Sequence, residues 1–230
     1  PEESGPEESD RNGAAPFTSR FIYFGQIERK KGVIHVLRGL RALLDRAPRR
    51  EVFLDIVGGG SSSFRNELER ERERLGLNDA VQLRDFVPRA ELMALLPRYT
   101  AAVLPLSDGE PFGYSPVEAG AVALPVITTR GPGASECFPP NYRLFLQDRE
   151  CAQEMADRMD WCVSEPHAAR AEARDLQAEL RRRCDFKAVV FPAYERVLRS
   201  LTPKHTRFDE RALLAAHRTV SLYSHITRDG

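Results

Sequence analysis

The chain has 230 residues, 42% of them hydrophobic and 30% charged, the composition of a globular protein long enough to bury a substantial core. Lys and Arg number 34 and Asp and Glu 34, so the formal charge is zero, which speaks against a general nucleic-acid binder but not against a small basic pocket. No apolar run reaches the roughly 18 residues that span a bilayer, and the acidic start is unlike a secretory signal.

Residues 1–16 carry five acids among the first ten positions and no apolar periodicity, which predicts a solvated tail or linker. From Phe17 to about residue 200 short apolar runs alternate with helical patterns. FIYFG (21–25) has the character of a buried strand. A helix follows with Val33, Val36, Leu37, Leu40, Leu43 and Leu44 on one face and Pro48 as its stop. VFLDIV (52–57) is a second strand, closed by Gly58, Gly59 and Gly60. Then come a charged helix (64–76), a strand VQLRDF (81–86), a helix (89–99) and a strand AAVLPL (101–106). A helix begins near Ser115, LPVITT (124–129) makes a fifth strand, and RLFLQ (143–147) a sixth. Helices are expected over about 149–164, 166–183 and 187–200, with another near 208–225 in a C-terminal extension, 201–230.

Strands alternating with helices, and apolar on both faces, predict an α/β domain: a doubly wound, Rossmann-like parallel sheet of about six strands, spanning 17–200. Such sheets bind ligands beyond the carboxyl ends of their strands. The four cysteines, Cys137, Cys151, Cys162 and Cys184, have neither zinc nor redox spacing, so scattered thiols in a reducing compartment are expected. That points to the cytoplasm or the cytosolic face of a membrane. The five histidines form no zinc motif.

The first strand ends at Gly25, and Gln26 to Gly32 opens a helix with Arg29, Lys30 and Lys31 near its N-terminus, where a phosphate would be welcome. A solvated basic loop is the alternative. The Gly58–Gly60 turn permits close backbone approach but lacks the third spaced glycine of a dinucleotide fingerprint. After the fourth strand, Glu110 sits in a loop that no helix position explains. Glu118 has two readings. With Ser115 as N-cap and Pro116 behind it, Glu118 fits a capping box; its carboxylate also suits two adjacent hydroxyls, as on a ribose. The alternating signs of ELERERER indicate a solvated helix face. Gly131 to Glu136 is a further glycine-rich turn, with Arg130 beside it.

Taken in order, these elements resemble the C-terminal domain of the group 1 glycosyltransferases, the retaining family of the GT-B fold that includes enzymes similar to glycogen and sucrose synthases. The resemblance covers about residues 20–199 and rests on Gly25 with Lys31-Gly32, the strand ending in VGGG, LGLNDAVQL, the E-x7-E motif from Glu110 to Glu118, PVI, the Gly131–Glu136 turn and the late FPAYERVL. It implies one half of a GT-B fold that binds a nucleoside diphosphate sugar. Lys31 would hold the diphosphate near Gly25 and Gln26, and Glu118, next to Ser115, the ribose. Glu110 and the backbone of Phe112, Gly113 and Tyr114 would face the sugar. Arg84, Asp85 and Phe86 would lie against the base, largely through backbone. Lys31 and Glu110 are the implied catalytic groups, and no metal is implied. Three positions depart from the pattern: Gln26 stands where the family usually has Arg, Asp85 where it has Gly in the base loop, and Ala123 where it has Gly before Leu-Pro-Val. Gln26 removes one phosphate-binding charge. The acceptor site of such an enzyme belongs to an N-terminal domain that nothing before Phe17 resembles, so the chain alone is expected to turn over no sugar. A catalytically degenerate nucleotide-binding or regulatory module is the alternative. A nicotinamide-dependent oxidoreductase domain is disfavoured by the incomplete glycine fingerprint.

Overall fold

The computed structural model describes residues 19–201 apart from Asp108; the acidic start and the helix expected near 208–225 lie outside the described residues. Six strands form one parallel sheet: β1 (Arg20–Phe24), β2 (Phe53–Val57), β3 (Val81–Arg84), β4 (Ala101–Leu104), β5 (Val126–Thr129) and β6 (Phe145–Leu146). Their order across the sheet is β3-β2-β1-β4-β5-β6, so the winding reverses between β1 and β4. All six predicted strands are present; β1 keeps its length but starts one residue earlier, and the other five are shorter than their apolar runs. Pro105 follows β4 and Pro125 precedes β5, and a proline has no N–H to give to a ladder. β3 stops at Arg84 instead of Phe86, and β6, at the sheet's edge, keeps two residues.

Among the described residues there are seven α-helices: α1 (Val33–Arg46), α2 (Ser62–Arg74), α3 (Arg89–Leu95), α4 (Tyr114–Ala121), α5 (Ala152–Ser164), α6 (Pro166–Cys184) and α7 (Phe191–Leu201), the last entered through a π turn at Phe186–Val190. Among the described residues no helix is long and apolar enough to cross a membrane. α1 buries Val33, Val36, Leu37, Leu40 and Leu43 as its periodicity predicts, while Leu44 is half-buried. It lies against α5 through Gly39, where an added Cβ would come within 2.7 Å of the Met155 sulfur. α2 buries only Phe64 and Leu68. Its outer face is laced with ion pairs, and hydrogen bonds from Arg74 and Arg38 bring the Glu71 carboxyl down to about 2.

One charged side chain lies inside the sheet. Asp55, 3% exposed on β2, accepts a hydrogen bond from Arg20 at 2.7 Å and one from the Tyr99 hydroxyl at 2.7 Å, with Arg84 at 3.7 Å. Burial and the bond to Asp55 raise the Tyr99 phenol above its ordinary range. The sequence pattern gave Asp55 no role.

The four cysteines are free, but two of them meet. Cys137 and Cys184 lie close enough to act on each other, which lowers the pKa of the Cys137 thiol and raises that of Cys184. Their separation in sequence hid this contact between the end of α6 and the 3-10 turn Gly133–Cys137.

Helix α4 ends in a Schellman arrangement: Ala123 N–H donates to Gly120 O at 3.0 Å and Leu124 N–H to Ala119 O at 3.1 Å. The residue this geometry requires in the left-handed region is Ala123, with φ 53°. It is the position where the family pattern has glycine. A side chain there costs about 1 kcal/mol or more, partly offset in the variant by the larger unfolded-state entropy of glycine. Ala123→Gly is therefore expected to raise stability by about 0.5–1 kcal/mol, seen as a higher denaturant midpoint at unchanged slope. A lower midpoint would contradict this account of the helix end.

Candidate functional site

The reversal between β1 and β4 sends the loops after those strands in opposite directions and leaves a crevice at the carboxyl edge. The loops after β1 and β2 are zipped together across its floor. Gly25 N–H donates to Val57 O at 3.1 Å, Ile27 N–H to Gly59 O at 2.8 Å, and Gly58 N–H to Arg84 O at 3.3 Å. The Gly58–Gly60 turn serves close approach, as its sequence suggests. A Cβ on Gly58 would lie 1.8 Å from Gly25 O, and one on Gly60 would lie 2.2 Å from Ile27 O.

Above this floor is an open cleft of about 660 Å³. Five of the residues expected to bind the donor line it: Gly25, Gln26, Phe86, Ser115 and Glu118. The Gln26 backbone oxygen accepts from the Tyr23 hydroxyl at 2.8 Å. Burial, with Glu28 and Glu110 nearby, pushes that phenol above its usual range. Phe86 is 73% exposed. The remaining expected residues, Lys31, Arg84, Glu110, Phe112, Gly113 and Tyr114, are not part of the cleft wall.

Lys31 and Glu110 meet each other instead. The ammonium donates to the carboxylate across the β1/β4 reversal, and both side chains are less than 20% exposed. Two anchors hold the partners. Gly32, in the left-handed region with φ 76°, is pressed against Pro105, where a Cβ would come within 2.4 Å of the carbonyl oxygen. The Glu110 N–H donates to Ser107 O at 2.9 Å. The loop behind Glu110 is braced by Gly133 N–H to Pro111 O (3.2 Å) and Ala134 N–H to Phe112 O (2.8 Å). The Phe112 and Tyr114 rings lie 4.9 Å apart beside it.

The capping box does not form. Gly113, with φ 80°, is the N-cap of α4, so Ser115 and Pro116 fall within the first turn and no side chain caps the helix. Glycine at Gly113 lets the chain enter the helix two residues earlier than the Ser-Pro signal predicts. Glu118, freed from the cap, accepts from Arg89 Nε at 2.9 Å. The Arg84 guanidinium turns back toward Asp55, and its backbone carbonyl faces the Gly58 turn. Arg130 is structural, donating to Pro140 O at 2.8 Å and stacking over Phe145. Arg89 is the residue that sequence reasoning missed. Its only local signal was a cation following a loop proline at a helix start.

Among the described residues no three His, Cys, Asp or Glu side chains gather as metal ligands. A carboxylate in the cleft wall and two glycine-rich turns, with a cation–carboxylate pair at the strand reversal beside them, make a crevice suited to a polar, phosphorylated ligand.

The chain belongs to the group 1 glycosyl transferases, whose family model matches residues 6–183. The D-inositol 3-phosphate glycosyltransferase of Corynebacterium jeikeium is 36% identical over 157 residues, which cover 66% of this chain and 37% of that protein. The glycogen synthase of Mycobacterium tuberculosis is 28% identical over 172 residues, covering 74% and 40%. The chain thus spans about two fifths of the length of these relatives. Among solved structures, Anabaena HepE in complex with UDP and glucose superposes with a TM-score of 0.67 at 22% identity, over 80% of this chain and 48% of that one. The C-terminal domain of LpcC, a group 1 family protein from Francisella tularensis, superposes at 0.64 and 21% identity, over 76% of this chain and 89% of that domain. The sheet and its helices are one half of the GT-B architecture.

The zipped floor gives a sharp contrast between neighbouring glycines. Gly58→Ala is expected to cost more than about 2 kcal/mol, because the β1 and β2 loops must separate. Gly59, with nothing within 4 Å of an added Cβ, should accept alanine at a cost within about 0.5 kcal/mol. Thermal unfolding of the two variants checks this; equal melting temperatures would refute the zipper.

Proposed function

We propose that this chain is the donor-binding part of a retaining glycosyltransferase, taking a nucleoside diphosphate sugar and, with an acceptor domain outside these residues, transferring its sugar. Two observations support the reading: the Lys31–Glu110 pair across the strand reversal of a group 1 glycosyltransferase sheet, and Glu118 in the wall of the cleft at the same edge. Lys31 takes the diphosphate, helped by the partial positive charge at the start of α4. Glu118 accepts from the ribose hydroxyls. Glu110 and the backbone of Phe112, Gly113 and Tyr114 face the sugar. The loop from Arg84 to Phe86 lies against the base. Catalysis on this reading is electrostatic: fixed cations and dipoles stabilise the charge of the departing diphosphate, with no metal required. Solved structures of HepE with UDP and of TarM from S. aureus with UDP share the fold and support a nucleotide in this crevice. The free thiols fit a reducing compartment, the cytoplasm or a cytosolic membrane face.

A second reading, a degenerate binding module, is favoured by one observation. Gln26 lines the cleft as a neutral amide where the family pattern has an arginine.

Calorimetric titration with UDP, GDP and ADP tests the first reading. At least one should bind, and Lys31→Ala should weaken it about 10- to 100-fold, the range of a hydrogen bond between charged groups. Gln26→Arg should tighten binding by up to about 10-fold through a second charge at the same phosphates. Silence from all three nucleotides, with the fold intact, would sink the donor reading. The chain on its own should release no sugar to an acceptor, and detectable transfer would show that no further domain is needed.

A further inference from the structure

The cleft has a direction. Its end at the β1/β4 reversal holds Gly25 and Ser115 at the start of α4, whose N-cap Gly113 lies against Glu110, the partner of Lys31, and is the place for phosphates. Glu118 lies one helical turn further along α4. Beyond it the cleft crosses the Gly58–Gly60 turn toward β3, where its wall is formed by Phe86, Val87, Arg89 and Leu92. If the diphosphate and ribose take the first two stations, which is the reading proposed above, the base falls at the third.

That third station has the makings of a base pocket. Phe86 presents an exposed ring with no aromatic partner of its own among the described residues. Its loop is held on both sides: Asp85 pairs with Arg65 at 3.0 Å, and the Arg84 carbonyl accepts from Gly58. Val87 and Leu92 turn toward the core and offer apolar edges. Among the described residues Arg89 is the one cation in the cleft wall. Its Nε is committed to Glu118, and among the described residues its two Nη groups have no partner. The Glu118 carboxylate therefore orients a guanidinium fork whose remaining N–H groups face a space walled by apolar and aromatic surface.

We propose that Arg89 reads the base, and that the site selects a nucleoside diphosphate whose base carries ring carbonyl oxygens, uracil or guanine, over adenine. A fork of N–H donors matches a carbonyl oxygen or the paired O6 and N7 of guanine. The exocyclic amino group of adenine is itself a donor and would face the fork donor to donor, leaving both unpaired. Phe86 supplies stacking, which every base satisfies. Selection and grip are thus divided between two neighbouring residues.

The test is calorimetric titration of the wild-type chain, Arg89→Met and Phe86→Ala with UDP, GDP and ADP. The ratio of affinities is the readout, because any loss from disturbing Glu118 is common to all three nucleotides and divides out. The wild type should bind UDP or GDP at least about 10-fold more tightly than ADP, the range of one good base contact. Which of the two binds more tightly names the base. Arg89→Met should shrink that preference to within about threefold, while Phe86→Ala should weaken all three nucleotides and leave the ratio in place. Arg89→Gln, which keeps a polar side chain, stands in if Arg89→Met does not fold. A wild type that binds ADP as well as the others, or a preference that survives both arginine variants, overturns the assignment to Arg89 while leaving the donor site intact. Loss of binding for all three nucleotides in the wild type overturns the donor site itself.

Discussion

The sheet depends on a single buried carboxylate. Asp55 draws on groups from the start of β1, the end of β3 and the residue just before Thr100 and β4. A charge at 3% exposure is tolerable only when hydrogen-bonded and neutralised, and these contacts do both. Because the partners come from three other segments, the requirement fixes how far β1, β2, β3 and the approach to β4 can slide past one another. The carboxyl ends of those strands are where the cleft lies, so the register set beneath the sheet determines the spacing of Gly25, Gly58 and Phe86 above it. Removing the carboxylate takes from Arg20 and Tyr99 an acceptor that both donate to.

How much of this was legible in the sequence follows from the range of the forces involved. The six strands were visible because parallel strands covered on both faces are continuous apolar runs, and their ends were blurred because hydrophobicity does not register where a proline interrupts a ladder. The face of α1 was visible because burial follows the helical period. Asp55 was not, since one acid inside VFLDIV carries no sign of the partners that make it acceptable. Ala123 was legible as a departure from a pattern, and its backbone geometry explains why glycine is the usual resident there.

The site divides along the same line. The glycine turns and the E-x7-E spacing are local features and point to the carboxyl edge of the sheet, where the cleft lies. The pairings are not local. Lys31 finds Glu110 across 79 positions and Arg89 finds Glu118 across 29, and no spacing rule connects them. The capping box was a local rule that lost to a stronger one: Gly113 takes a left-handed conformation open to few other residues and starts the helix before the serine is reached. With the box gone, both carboxylates of the motif are engaged by cations from other loops.

The seat of α1 has a consequence for how the chain folds. The helix that carries Lys31 at its entrance is fastened in large part by the far half of the protein: Arg50 to Asp160, Arg46 to Asp157, Lys30 O to Arg149, and Gly39 against Met155. These contacts close loops of 110 to 119 residues. Loop closure must precede the gain they bring, so topologies of this kind are slow to assemble. On the ribosome β1 and α1 are made before α5, so the face of α1 that packs on α5 lacks that partner until α5 has emerged. The strongly charged flanks of that waiting segment, Arg29-Lys30-Lys31 before the helix and Arg49-Arg50 after it, then serve a second purpose, keeping its apolar face from pairing with other chains before its own partner arrives.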